Sequence, residues 1–149
     1  MRHWSLLLEA TRQTIVSLRL PELPDTNVLV LPTLVERKGE VSRADRPAIW
    51  VAPSGPERLD PAQGTNCRDD VVYPLGVVCL LDDTPDRFAL VTQWRARLGQ
   101  AFHLRPLPGT PCFRVTVEPR DLVDQAAGAS RRLWLSQLQL LCLTREPRE

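Results

Sequence analysis

Residues 4–20, "WSLLLEATRQTIVSLRL", bring Trp4, Leu7, Leu8, Thr11, Ile15 and Leu18 back at three- and four-residue steps. That is the period of an amphipathic helix, and Glu9, Arg12 and Arg19 fall off its apolar stripe. "PELPDTN" then stops the helix with two prolines. Residues 27–37 predict a strand, with Val28 and Val30 on one face and Leu29 and Leu31 on the other. Pro32 marks an edge or a bulge in it. The charged run "RKGEVSRADRP" (37–47) predicts an exposed hairpin tip or flexible loop. "AIWVAP" (48–53) follows as the returning strand, and "SGPERLDPAQGTN" (54–66) as a loop.

Val71 to Leu81 is apolar on both alternations, the pattern of a strand buried on both faces. Tyr73-Pro74 near its start removes one ladder donor and predicts a bulge or an edge there. Thr84-Pro85-Asp86 then supplies a capping residue, a proline for the first helical position and an early acid. The helix that follows carries Val91, Trp94, Leu98 and Ala101 or Phe102 on its apolar stripe, with Phe88 assigned to the same core. Arg95, Arg97 and Gln100 flank it, and "RPLPG" ends it. Residues 112–118 alternate, with Phe113, Val115 and Val117 inward and Arg114, Thr116 and Glu118 outward. Residues 119–130 predict a connection. "RRLWLSQLQLLCLTRE" is long enough for a closing strand over 133–145, although leucine and glutamine also form helices readily. The preceding Gly-containing linker favours a meander and hence the strand.

The order α-β-β-β-α-β-β predicts an α+β fold, a mostly antiparallel sheet with two helices packed on one face. At 149 residues the expectation is one domain spanning residues 1–149. Net charge is +1, without the basic excess that marks most nucleic-acid binders. The only lysine is Lys38, so arginine dominates the 19 basic residues. Arginine's planar fork suits ion pairs at interfaces, and a GC-rich genome would produce the same bias. Cys67, Cys79, Cys112 and Cys142 are widely spaced, and the two histidines, His3 and His103, are far apart. This is a poor zinc inventory and predicts a reduced intracellular origin, with no metal and no cofactor. No apolar run reaches the length of a membrane span.

The densest chemistry lies in "NCRDDVVYPLGVVCLLDD", residues 66–83. A strand of that length holds Asp69-Asp70 and Asp82-Asp83 about 40 Å apart, too far for one acid pair or one metal. Asp82-Asp83 also suits the turn before the second helix. Cys67 with His103 is the only nucleophile–base pairing to weigh, and His103 at a helix end is more simply a cation facing the helix C-terminus. No phosphate-loop glycine pattern is present. The expectation is therefore a non-catalytic protein of contact surfaces, with no catalytic, cofactor or metal site. A small α+β enzyme built on Cys67 or Asp69-Asp70 is an alternative, and a regulatory or nucleic-acid-binding module is another.

"CRDDVVYPLGVVCLLDD", "WRARLGQAF", "VTVEP" and a final apolar strand ending "LTRE" occur in that order. Together they resemble small structural proteins of tailed bacteriophages, above all the tail terminator (tail completion) family of the head–tail neck. The motifs cover residues 66–149, while the N-terminal part agrees only in element order and its long hairpin. The resemblance implies an α+β virion protein, assembled in the bacterial host cytoplasm. It implies a homo-oligomeric ring of six copies on the last ring of the tail tube, facing the head-side connector, with DNA passing through the lumen without specific binding. Neighbouring connector roles, head closure or tail joining, are alternatives within the same class. The proline-rich segment from Pro47 to Pro61 departs from the family pattern at the tube-facing hairpin.

Overall fold

The computed structural model describes residues 2–32, 46–60, 68–82, 84–123 and 133–147. Two helices, α1 (Trp4–Ser17) and α2 (Arg87–Phe102), accompany six strands. The strands are β1 (Val28–Val30), β2 (Ala48–Pro53), β3 (Arg58–Asp60), β4 (Arg68–Asp82), β5 (Cys112–Pro119) and β6 (Leu133–Pro147). They form one mixed sheet in the order β1-β2-β4-β6-β5, and β3 pairs with β4 beyond the end of β2. The α+β class and the placement of two helices on one face agree with the sequence expectation.

β4 and β6 are the spine. They pair antiparallel over their full length, from Arg68 opposite Pro147 to Asp82 opposite Leu133. The closing strand thus forms despite its helix-forming leucines and glutamines, because in-register pairing with β4 satisfies its backbone along the whole run. Odd-numbered residues of β4 (Val71, Tyr73, Leu75, Val77, Cys79 and Leu81) face the helices. There they meet Leu7, Leu8 and Ile15 of α1 and Val91, Trp94, Leu98 and Phe102 of α2. On the opposite face Val78 and Leu80 join Leu31, Ala48, Trp50, Ala52, Leu133 and Leu135 in a second buried cluster. β4 is therefore buried on both sides, which its double alternation predicts.

Four expectations are corrected. β1 and β2 pair parallel, Val28 opposite Ile49, and a parallel pair cannot be closed by a hairpin. The hairpin tip placed at 37–47 falls mostly outside the described residues. Residues 58–60, expected in a loop, form the short strand β3 on the open edge of β4, although proline and glycine flank it on both sides. α2 begins at Arg87. The Thr84-Pro85-Asp86 segment forms the turn before it, with Arg87 N–H donating to the Thr84 carbonyl (3.0 Å). Phe88 is consequently 48% exposed instead of part of the core. Finally, β5 is irregular between Cys112 and Arg114, so one extra residue flips the phase. Cys112 takes the inward position, and Phe113 is exposed.

Candidate functional site

The sequence-predicted acids stay apart and are spent on different partners. Asp70 is fully buried and receives both arms of the Arg145 guanidinium, Nε to Oδ1 at 2.8 Å and Nη2 to Oδ2 at 3.2 Å. The two residues are direct cross-strand partners of β4 and β6, so the pair follows from register alone. The bidentate fork is the strong form of a carboxylate contact. Arg145 also lies over the ring of Phe113, 5.6 Å from its centroid, and this cation–π contact draws the exposed ring to the pair. Asp82 at the other end of β4 accepts from Arg46 at 3.0 Å. Asp69 stands opposite Glu146 in the register. Asp83 and Cys67 lie outside the described residues, as does any Cys67–His103 pairing.

A second carboxylate, Glu146, is the group that sequence reasoning missed. It sits on the helix-covered side, nearly buried, where the Tyr73 hydroxyl donates to it at 3.0 Å and the Thr144 hydroxyl at 3.2 Å. His3 Nε2 approaches to 3.3 Å. Burial opposes the charge on Glu146, but the positive charge of the chain's N-terminal ammonium and the hydroxyl hydrogen bonds together outweigh burial and hold its carboxyl below the usual range. The same burial, together with the bond to Glu146, pushes the Tyr73 phenol far up, so it serves as a donor. The Trp4 ring stands edge-on to Tyr73 at 5.1 Å, and its indole N–H donates to Glu57 at 3.0 Å. The cluster pins the start of α1 to the sheet. A signal was present: Leu138, Leu140, Cys142, Thr144 and Glu146 share one phase of two, so the strand pattern itself carries Glu146 inward.

The arginines expected to flank α2 instead fasten it. Arg95 Nη1 donates to Ser136 Oγ (2.9 Å) and the Gln137 carbonyl (2.8 Å), and Nη2 to the Arg120 carbonyl (3.1 Å). Desolvation lowers its pKa, a measure of how far the guanidinium has left water. Arg97 donates to the Leu18 carbonyl at the end of α1, where a cation complements the helix C-terminus. Arg87 pairs with Glu22 at 2.8 Å. The Trp94 indole N–H donates to the Pro21 carbonyl at 3.0 Å. One helix thus holds both the α1–β1 turn and the β5–β6 connection.

β5 is an edge strand, and its outward edge is occupied. Leu104 N–H donates to the Val115 carbonyl at 2.7 Å, and Val115 N–H to the Arg105 carbonyl at 2.8 Å. Val117 N–H donates to His103 Nδ1 at 3.1 Å, and Pro119 has no N–H. His103 is thereby an acceptor for a sheet edge, where the sequence suggested a cation for the helix end. Together these groups block strand addition. Beside this edge an open groove of about 650 Å³ lies between α2 and β5, lined by Arg95, Ala96, Gly99, His103, Arg105 and Val117. A side-chain carbon built on Gly99 would meet nothing within 4 Å, so the groove reaches the helix backbone.

Among the described residues no three His, Cys, Asp or Glu side chains gather as a metal site, and no helix is long and apolar enough to cross a membrane. No known family model matches the chain, and no curated protein matches it in sequence.

Proposed function

We propose that the chain is a ring-forming structural subunit of a bacteriophage neck, a tail terminator. In this reading its copies cap the head-proximal end of the tail tube, end tube polymerisation and offer a surface to the head connector. DNA passes through the lumen, and the near-neutral net charge of +1 suits a passage that must not grip phosphates.

The observation that carries the reading is the use made of the residues in the family resemblance. Asp70 and Tyr73 of the "RDDVVYP" stretch, Trp94, Arg95 and Arg97 of "WRARLGQAF", and Arg145 and Glu146 of the strand end all bind elements to one another. Signature residues spent on scaffolding fit a protein whose product is a shape. A neighbouring connector role, head closure or tail joining, shares this support.

The test is deletion of the reading frame from a phage that carries it, followed by electron microscopy of the lysate. A terminator leaves tail tubes of uncontrolled length without heads. Tubes of uniform length that fail to join filled heads point to a neighbouring connector. Intact, infectious particles overturn the reading.

A further inference from the structure

Phe88 and the groove around Gly99 lie on one exposed face of α2, about three helical turns or 16 Å apart. They are opposite in shape and in charge. At the N-terminal end Phe88 projects, 48% exposed, next in the chain to Arg87, which pairs with Asp86 (72% side-chain exposure) and with Glu22 (56%). The hydrogen bond from Thr84 leads the effects that lower the pKa of Asp86, and two acids against the one Arg87 leave that end with one net negative charge. At the C-terminal end the groove is lined by Ala96, Gly99 and Val117 together with Arg95, Arg105 and His103. A void of about 650 Å³ exceeds what one aromatic ring needs. An exposed phenylalanine beside an acid complements an open groove edged by Ala96, Val117 and Arg105 in apolar area and in charge.

We infer that the α2–β5 groove is the acceptor for the Phe88 end of α2 from a second copy of this chain, with Asp86 of one copy facing Arg105 of the next. The inference rests on the ring-subunit reading and assigns its contact surfaces. Because projection and groove are different patches, each copy uses one of each, and association is head-to-tail. Such a contact closes into a ring or runs on as a filament. A two-fold pair would instead consume both patches of both copies at once.

Two single substitutions separate the halves of the contact without touching the core. Gly99→Leu fills the groove from within a helix, where an added side-chain carbon meets nothing within 4 Å and helix propensity rises. Phe88→Ser removes the projection from an exposed position. Each variant should fold as the wild type by circular dichroism and melt at or near its temperature. By light scattering over a concentration series, wild type should form a closed oligomer, and each variant should associate at least about tenfold more weakly. Mixed in equal amounts, the intact groove of Phe88→Ser accepts the intact Phe88 of Gly99→Leu, and growth stops at two copies. Asp86→Arg should likewise weaken assembly and Arg105→Asp in the same chain restore it.

Assembly of either single variant like wild type overturns the docking assignment while leaving the ring reading intact. A wild type that stops at two copies overturns the head-to-tail arrangement. A wild type that is monomeric to its solubility limit overturns the assignment as well, and the tail-length experiment then decides the ring reading separately.

Discussion

The two faces of the sheet are built from the same strands and solved differently. On the helix-covered face, apolar side chains run the whole length of β4 and end at a nearly buried carboxylate, Glu146, held by neutral hydroxyl donors and by His3. On the opposite face one apolar cluster gathers where β2, β4 and β6 overlap. Toward β5 that face turns polar, with Arg114, Thr116, Glu118 and Gln139 standing on the strands. Its buried carboxylate, Asp70, is held by a guanidinium that reaches in from solvent, Arg145 being 44% exposed. Arg145 and Glu146 are adjacent in the chain and serve opposite faces. One residue of register slip would exchange them and leave two acids without their partners.

The largest effect expected from breaking this comparison is at the helix-covered core. Trp94→Ala removes a fully buried ring and the bond to Pro21, and should cost about 3–5 kcal/mol in denaturant unfolding. The Asp70–Arg145 pair should respond unequally. Arg145→Met leaves a carboxylate buried without its fork and should cost about 2–3 kcal/mol, less than a fully enclosed pair because Arg145 is 44% exposed. Asp70→Asn lets the arginine return to water and should cost about 1–2 kcal/mol. Equal losses in the two variants would contradict the asymmetry.

The other carboxylate has a signature in pH. The fold lowers the pKa of Glu146, so its ionised form favours the native state. That contribution is present above the unfolded value of about 4.3 and is lost as pH falls through the folded value. Glu146→Gln should therefore lose less stability than wild type between about pH 6 and pH 3, measured by urea unfolding at each pH. The smallest effect is expected on the solvent side of α1. Arg12→Ala breaks the exposed Glu9 pair and should change stability by about 0.5 kcal/mol or less.

Much of the fold was legible because hydrophobic period is local. The α1 stripe of Leu7, Leu8, Thr11 and Ile15 is buried as spaced, and Val91, Trp94, Leu98 and Phe102 line the inner side of α2. Asp69-Asp70 and Asp82 belong to opposite ends of β4 by length alone. What escaped notice depended on partners distant in the chain. The Glu146 cluster joins residues from positions 3, 73, 144 and 146. Arg95 and Arg97 look solvent-facing on a helical wheel, yet their forks reach past the stripe to carbonyls of other elements.

The sequence by itself determined the two helices and the strands β1, β2, β4, β5 and β6, that β4 is buried on both faces, and that its acids cannot meet. Those properties follow from side-chain period and chain dimensions, which need no partner. Only the tertiary structure decided that β1 runs parallel to β2, that β3 joins the sheet, and that a bulge turns Phe113 outward beneath Arg145. It also decided that Phe88 is left exposed beyond the core while Gly99 opens a groove on the same helix. Strand direction, register and exposure are set by backbone hydrogen bonds and packing between segments far apart in the chain, and no local pattern carries them.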